Sequence, residues 1–345
     1  MKSKSGGSNN IVIYSLLAVG VMSAIGAYAW WIFQTPSSTN TKVAPNLQVA
    51  AINAPSSESP GSSNARESDD MVRKSIEANP DQTSFAIKES DVTDKGLEAL
   101  LSLKHLIRLE IEECDNVTDD GVKELGAIST LKALSLHACR NVTSKSMTWL
   151  GHLSLVYLDV SETQIDDAGL QDLAKTHTLQ VILLNRTRVT DKGLDNLRAF
   201  PLLQLYMVRV DGLTGSGCAT LAKVVSLQLL DLTGCTHIAV GLDKLATLHL
   251  QRLSLKQTDV HDGDIQFLPA MPTLEALDLS GTSITDKIIP MLCKMTKLKQ
   301  VSVMNCPHVT ASAQEALRKA LPKAFVQTGT TNNVRKTNEL KDQWK

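Results

Sequence analysis

Residues 179–197 read LQVILLNRTRVTDKGLDNL, and this stretch decides the fold. It changes period part-way. Ile182, Leu183 and Leu184 begin as a short strand, with the first and third side chains turned to one face. Val189-Thr190-Asp191-Lys192-Gly193-Leu194 then has the marks of a helix start: Thr190 is placed to cap and Asp191 puts a favourable charge in the first turn. Outward from here the pattern recurs, as L-x-x-L-x-L-x-x-(C/T)-x-x-(V/I)-T-D-x-G-L-x-x-L. Its leading leucines are Leu106, Leu131, Leu155, Leu179, Leu203, Leu227, Leu250, Leu274 and Leu298, spaced by 25, 24, 24, 24, 24, 23, 24 and 24 residues. Phe85 and Ile87 supply a degenerate further strand. A period held this closely marks a solenoid of stacked units.

Each part of the unit has a physical role. The L-x-L segment, as in Leu134-Ser135-Leu136 or Leu277-Asp278-Leu279, buries two residues and exposes the one between. Three residues after the second leucine comes a small residue, Cys or Thr in eight units, suited to the crowded bend that leaves the strand. The Gly of the T-D-x-G-L segment permits close approach to the neighbouring helix. Parallel strands lie about 4.8 Å apart, whereas helices need roughly 8–10 Å. The expected fold class is therefore an α/β solenoid, a curved arc with parallel strands on its concave face and helices on its convex face. Its ends need caps. Met71, Val72 and Ile76 offer an upstream helix. Ala313, Ala316, Leu317 and Ala320 offer a last helix, with Ala324-Phe325-Val326 closing the sheet.

Over about residues 85–326 these units resemble the cysteine-containing leucine-rich repeats that follow F-box domains in ubiquitin-ligase adaptors. They resemble still more the T-D-x-G-L repeats of exported or membrane-anchored bacterial proteins. The resemblance implies a leucine-rich-repeat fold but little about function, because function on such a scaffold lies in a site. Residues 34–80 have the composition of a linker, not of an F-box module, so an adaptor role in ubiquitin ligation is not expected.

The ends of the chain differ from its middle. Residues 11–33, IVIYSLLAVGVMSAIGAYAWWIF, carry no charge, and as a helix would reach roughly 35 Å, enough to cross a bilayer core. Tyr28, Trp30 and Trp31 sit where an aromatic belt would lie. Lys2 and Lys4 precede the segment and no Lys or Arg follows before Lys42, which places residues 1–10 in the cytosol and exports the rest. A cleaved signal peptide is the alternative, since Ala27-Tyr28-Ala29 has the small-x-small pattern. Residues 34–70 are rich in Ser, Pro, Asn and Ala and read as a disordered linker. The repeat domain is expected over 71–326 and a flexible tail over 327–345.

Charge and cysteine content narrow the function. Lys and Arg number 35 against 36 Asp and Glu, and no basic stripe is apparent, so a nucleic-acid partner is not expected. Six cysteines are too few for a disulfide scaffold. Cys114, Cys139, Cys235 and Cys306 fall in the bend column, where Thr alternates with Cys, and read as structural. No metal or cofactor is expected. Ser135, His137 and Asp159 lie near one another on the strand face, but nothing supplies an oxyanion site or excludes water. No enzyme activity is expected.

The candidate site lies on the strand face. With the leading leucines above, the outward positions are mostly polar, but Tyr157, Val181, Leu183, Leu205, Met207 and Leu229 cluster over four neighbouring strands. Arg209 adjoins them and Arg186 lies on the rim. An apolar patch ringed by charge suits a protein partner. The expected function is a non-enzymatic protein-interaction scaffold displayed outside the cytoplasmic membrane. Alternatives are an envelope-organising protein binding glycan or its own copies, or a non-catalytic subunit of an enzyme complex.

Overall fold

The structure, a computed structural model, describes residues 51–53 and 62–329. Twelve short strands form one parallel sheet in chain order. They are β1 (Ala51–Asn53), β2 (Ser84–Lys88), β3 (Arg108–Glu112), β4 (Ala133–Ser135), β5 (Tyr157–Asp159), β6 (Val181–Leu183), β7 (Gln204–Tyr206), β8 (Leu229–Asp231), β9 (Arg252–Ser254), β10 (Ala276–Asp278), β11 (Gln300–Ser302) and β12 (Phe325–Gln327). From β2 onward, α-helical or 3₁₀ turns lie between successive strands. The parallel α/β solenoid expected from the period is present. The transmembrane expectation for residues 11–33 lies outside the described residues. Among the described residues no helix is long and apolar enough to cross a membrane.

Both caps form. A helix over Ser62–Ala78 buries Val72 and Ile76 in the core, while Met71 stays exposed. This helix and β1 fall partly or wholly within the stretch 34–70 read as a linker, which is therefore not featureless. At the other end, the helix Ala311–Ala320 buries Leu317, and β12 pairs with β11.

One register row runs Leu109, Leu134, Leu158, Ile182, Leu205, Leu230, Leu253, Leu277, Val301, all inaccessible to solvent. Its inclusion of Leu205 overturns one expectation. Leu205 and Met207 do not stand on the outward face; both are fully buried in the core. The unit is led by Leu202, not Leu203. The N–H of Leu203 donates to Gln180 O (2.8 Å), the bond that Gln180 makes to Val156 and Gln228 makes to Leu203. The path from Thr187 to Leu202 is one residue shorter than that from Thr163 to Leu179, and the path from Val210 to Leu227 restores the length. Leu202, Leu205, Met207 and Val210 thus take the core positions, and Val210, not Asp211, fills the bend. This arrangement keeps the hydroxyl of Tyr206 out of the core, where it would need a partner.

The bend column follows a length rule. Cys occupies it where two residues precede the next core position, as in Cys114–Val117, Cys139–Val142, Cys235–Ile238 and Cys306–Val309. Its thiol lies against a carbonyl of the preceding repeat, as Cys139 Sγ to Ile111 O (3.4 Å) and Cys235 Sγ to Met207 O (3.0 Å). Thr occupies it where one residue intervenes, and its hydroxyl donates to the carbonyl three residues back, as Thr163 Oγ1 to Val160 O and Thr258 Oγ1 to Leu255 O, both 2.6 Å.

The T-D-x-G segment joins repeats. Each Thr caps its own helix, as Thr93 and Thr118 show. The Asp that follows accepts from the backbone N–H and the hydroxyl of the next repeat's Thr. Asp69 holds Thr93 (2.8 and 2.7 Å), Asp94 holds Thr118 (2.8 and 2.7 Å), and Asp119 holds Thr143 (2.8 and 2.6 Å). Asp167–Thr190, Asp191–Thr214, Asp262–Thr285 and Asp286–Thr310 repeat the rung. The glycine clears space for it: a Cβ on Gly121 would lie 2.3 Å from Asp94 Oδ1, and one on Gly96 would lie 2.4 Å from Asp69 Oδ1. The Asp is thus more than a first-turn helix charge.

Candidate functional site

The open face of the sheet, turned away from the helices, carries three residues per strand and a fourth on its rim. The central row reads Glu110, Ser135, Asp159, Leu183, Tyr206, Asp231, Ser254, Asp278, Ser302. The next outward row includes Glu112, His137, Ser161, Asn185, Val208, Thr233, Lys256, Ser280 and Met304. Its register is fixed by rim N–H groups that donate to the following repeat, such as Arg186 N to Val208 O (2.9 Å) and Arg209 N to Thr233 O (2.8 Å). The rim residues take left-handed backbone conformations, including Glu89, Glu113, Glu162, Arg186 (φ 52°), Arg209 (φ 53°), Gly234 and Gln257.

The sequence-derived site residues divide between two environments. Tyr157, Val181, Leu183 and Leu229 lie on the open side of the sheet, but the exposed apolar patch expected there is not found: Val181, Leu183 and Leu229 are buried and Tyr157 is half-buried. Val181 and Leu183 are only 3% and 2% accessible, and neither joins the core cluster behind the sheet. Arg186 and Arg209 are both exposed on the rim. Leu205 and Met207 leave the site for the core. Gln204, Tyr206 and Val208 take their place, and sequence reasoning missed all three. The available signal was the L-x-x-L-x-M-x-x-V frame starting at Leu202. Tyr206 is buried between its row neighbours and its hydroxyl donates to Gln204 Oε1 (3.1 Å). Tyr157 and Val208 are half-buried.

Charge is sorted along this face. At β2–β3, Lys88 Nζ contacts Glu110 (3.0 Å) and Glu112 (2.9 Å), while Arg108 also reaches Glu110. Burial pushes the Glu110 carboxyl up, but Arg108 and Lys88 outweigh it and hold the group below its ordinary value. Asp159, Asp231 and Asp278 are buried in the central row, and burial pushes each carboxyl up. Asp231 Oδ1 accepts from Thr233 N–H (2.9 Å) and Thr233 Oγ1 (2.6 Å), and Thr233 Oγ1 lies 2.8 Å from Ser254 Oγ.

A carboxyl raised in the folded state binds its proton more tightly there than in the unfolded chain. The stability it confers is full below the ordinary carboxylate range and is lost as pH rises through the raised value. Asp231→Asn keeps an accepting oxygen but carries no charge. It is expected to stabilise the domain by about 1 kcal/mol at pH 7, with the gain shrinking in acid. Thermal melts at pH 4 and pH 7 check this; an equal or negative effect at neutral pH contradicts it.

The chemistry on this face is sparse. Ser135 Oγ bonds Glu112 Oε1 (3.3 Å), and Asp159 Oδ1 accepts from Ser161 N–H (2.9 Å). Among the described residues the His137 ring is hydrogen-bonded to neither Ser135 nor Asp159, so these three residues are not assembled as a triad. All six thiols are free. Burial pushes Cys114 and Cys235 up to about 11 and Cys139 and Cys218 to about 12, which disfavours the nucleophilic thiolate. Among the described residues no group of three or more His, Cys, Asp and Glu is placed to hold a metal.

Residues 151–174 and 270–293 match the family model described as "Leucine Rich repeat". These two segments are leucine-rich repeats. The other repeats continue the same sheet and core. A Trypanosoma equiperdum protein, provisionally described as an adenylate cyclase regulatory protein, is 30% identical over 124 residues, covering 29% of this chain and 20% of that protein. The chain spans about a fifth of that curated relative. Among solved structures, an internalin from Listeria monocytogenes is similar with 18% identity and a TM-score of 0.49, over 71% of this chain and 73% of that one. A TLR13–ssRNA13 complex is similar with 15% identity and a TM-score of 0.49, over 76% of this chain and 41% of that one.

Proposed function

We propose that the chain is a non-catalytic binding scaffold whose open face over β5–β8 docks a protein partner. Leucine-rich-repeat proteins generally mediate protein–protein contacts. The observation that carries the reading here is the half-buried Val208 between the exposed rim residues Arg186, whose N–H donates to its carbonyl, and Arg209, with half-buried Tyr157 in the first row of the same face. Aromatic side chains and Arg are the residue types that anchor interfaces. The difference between strand and helix spacing curves such a stack and makes this face concave. Residues 11–33 would anchor the scaffold in the membrane with the repeats outside the cytosol, a reading supported by their uncharged apolar run and the lysines before it. A second reading, a non-catalytic regulatory subunit of an enzyme, is favoured by the description of the T. equiperdum relative.

Tyr157→Asp and Val208→Asp test the face. Both positions are half-buried on the open side, so each variant is expected to keep its melting temperature within a few degrees. A photo-crosslinker at Gln204, introduced into the full chain in native membranes, is expected to give one dominant protein adduct that both substitutions remove. Adducts unchanged in folded variants would place the docking surface elsewhere.

A further inference from the structure

We infer that the open face over β6–β9 is built to hold a short, extended, acidic segment of a protein partner. This rests on the scaffold reading above and adds the partner's chemistry. Three cations lie along one edge of this face, Arg186 and Arg209 on the rim and Lys256 one position before it; Arg252 stands apart at the start of β9, in the first row. Among the described residues Arg209, Arg252 and Lys256 form no salt bridge; burial raises the proton affinity of the nearby carboxyls Asp231 and Asp278, which the charge of Lys256 offsets only in part at Asp278. Arg186 pairs with Glu162 (2.5 Å), with the two side chains 48% and 27% accessible. An exposed pair of this kind is worth at most about 1 kcal/mol and exchanges readily for a partner's carboxylate. The contrast lies at β2–β3, where Lys88 and Arg108 are occupied by Glu110 and Glu112.

The rim geometry supports the same assignment. Gly234 has φ 74°, and a Cβ there would lie 2.7 Å from Arg209 Cγ and 3.5 Å from Arg209 Nε. The glycine therefore leaves room for the Arg209 stem to lie against the β8 rim. The strands β6 to β9 span three inter-strand gaps, about 14 Å, which four or so extended residues would cross. Arginine forks match carboxylates bidentately. Val208, half-buried between Arg186 and Arg209, offers an apolar contact there. A long polyanion fits less well. Continuing along the rim towards β3–β5, it would meet Glu162 and Glu113.

The test is selection of a random peptide display library on the full-length protein in detergent, with Arg209→Glu/Lys256→Glu as the comparison. Arg209 is exposed and Lys256 half-buried, and a thermal melt verifies that the double variant folds. Enriched peptides are expected to cluster Asp and Glu beside an apolar residue. Their binding is expected to fall at least about tenfold in the double variant and to weaken steeply with added salt. Neutral or basic peptides that bind the wild type and are lost in Tyr157→Asp would overturn the acidic assignment and leave the scaffold reading standing. Binding of a single-stranded RNA oligonucleotide in place of any peptide, abolished by the double variant, would overturn both. Selection that enriches no peptide family overturns the inference.

Discussion

Leu205→Asp is expected to abolish cooperative folding of the repeat domain, while Val208→Asp, three residues on, leaves it folded. Leu205 sits in the row between Ile182 and Leu230, with no solvent access. Replacing it removes a buried apolar side chain, which alone costs roughly 2–5 kcal/mol. It also places a carboxylate against the leucine ladder with no counter-charge or donor, a further penalty of several kcal/mol unless the group stays protonated. Together these approach the whole stability of an ordinary domain. Met207→Asp should behave alike, since Met207 is equally buried. Circular dichroism melts of the three variants decide the matter. A folded Leu205→Asp together with an unfolded Val208→Asp would restore the alternative register, with Leu203 leading the unit.

That comparison also shows which features were legible in the sequence. Apolar spacing is enough to read the stacked units, the strand-and-bend halves and both caps, because each depends on local period and on residues a short distance apart. The register of β7 is harder to read. Pro201-Leu202-Leu203 offers two candidate leading leucines, and an assumed uniform spacing selects the wrong one. The core resolves the ambiguity through pairing with β6 and β8, which no local pattern carries. The same slip displaces three site residues: with Leu203 leading, Tyr206 and Val208 would fall at core positions and Gln204 would leave the outward rows. Tyr157, Val181, Leu183 and Leu229, read from neighbouring units with clean spacing, lie on the expected face. The inter-repeat bond of the T-D-x-G segment was hidden for a different reason. Its two partners stand about one repeat apart, and within one repeat each residue already has a sufficient local explanation.

Asp94→Ala is expected to destabilise the domain by roughly 2–3 kcal/mol, and exchanging the two ends of the rung should recover at least half of that. Asp94 accepts two hydrogen bonds from Thr118, and charge-assisted bonds of this kind contribute about 1.5–3 kcal/mol each before solvent competition at a part-buried site. The chain already contains the exchanged rung. Ser144 stands in the Asp position and Asp166 in the Thr position; Asp166 N–H donates to Ser144 Oγ (2.9 Å) and Ser144 Oγ donates to Asp166 Oδ1 (2.5 Å). Asp166 meanwhile caps its own helix through Ala168 and Gly169. Asp94→Ser with Thr118→Asp should therefore rebuild the contact, and a double-mutant cycle in urea isolates it. Gly121→Ala adds an independent check. Its new Cβ would fall 2.3 Å from Asp94 Oδ1, displacing the carboxylate that makes the rung. Its cost should overlap with that of Asp94→Ala, giving a combined loss well short of the sum. Because each repeat is stabilised mainly by its neighbours, a missing rung should also broaden the unfolding transition. If the exchanged pair recovers nothing and the glycine cost adds in full, the rungs are a by-product of helix capping, and the stack is held by its leucines alone.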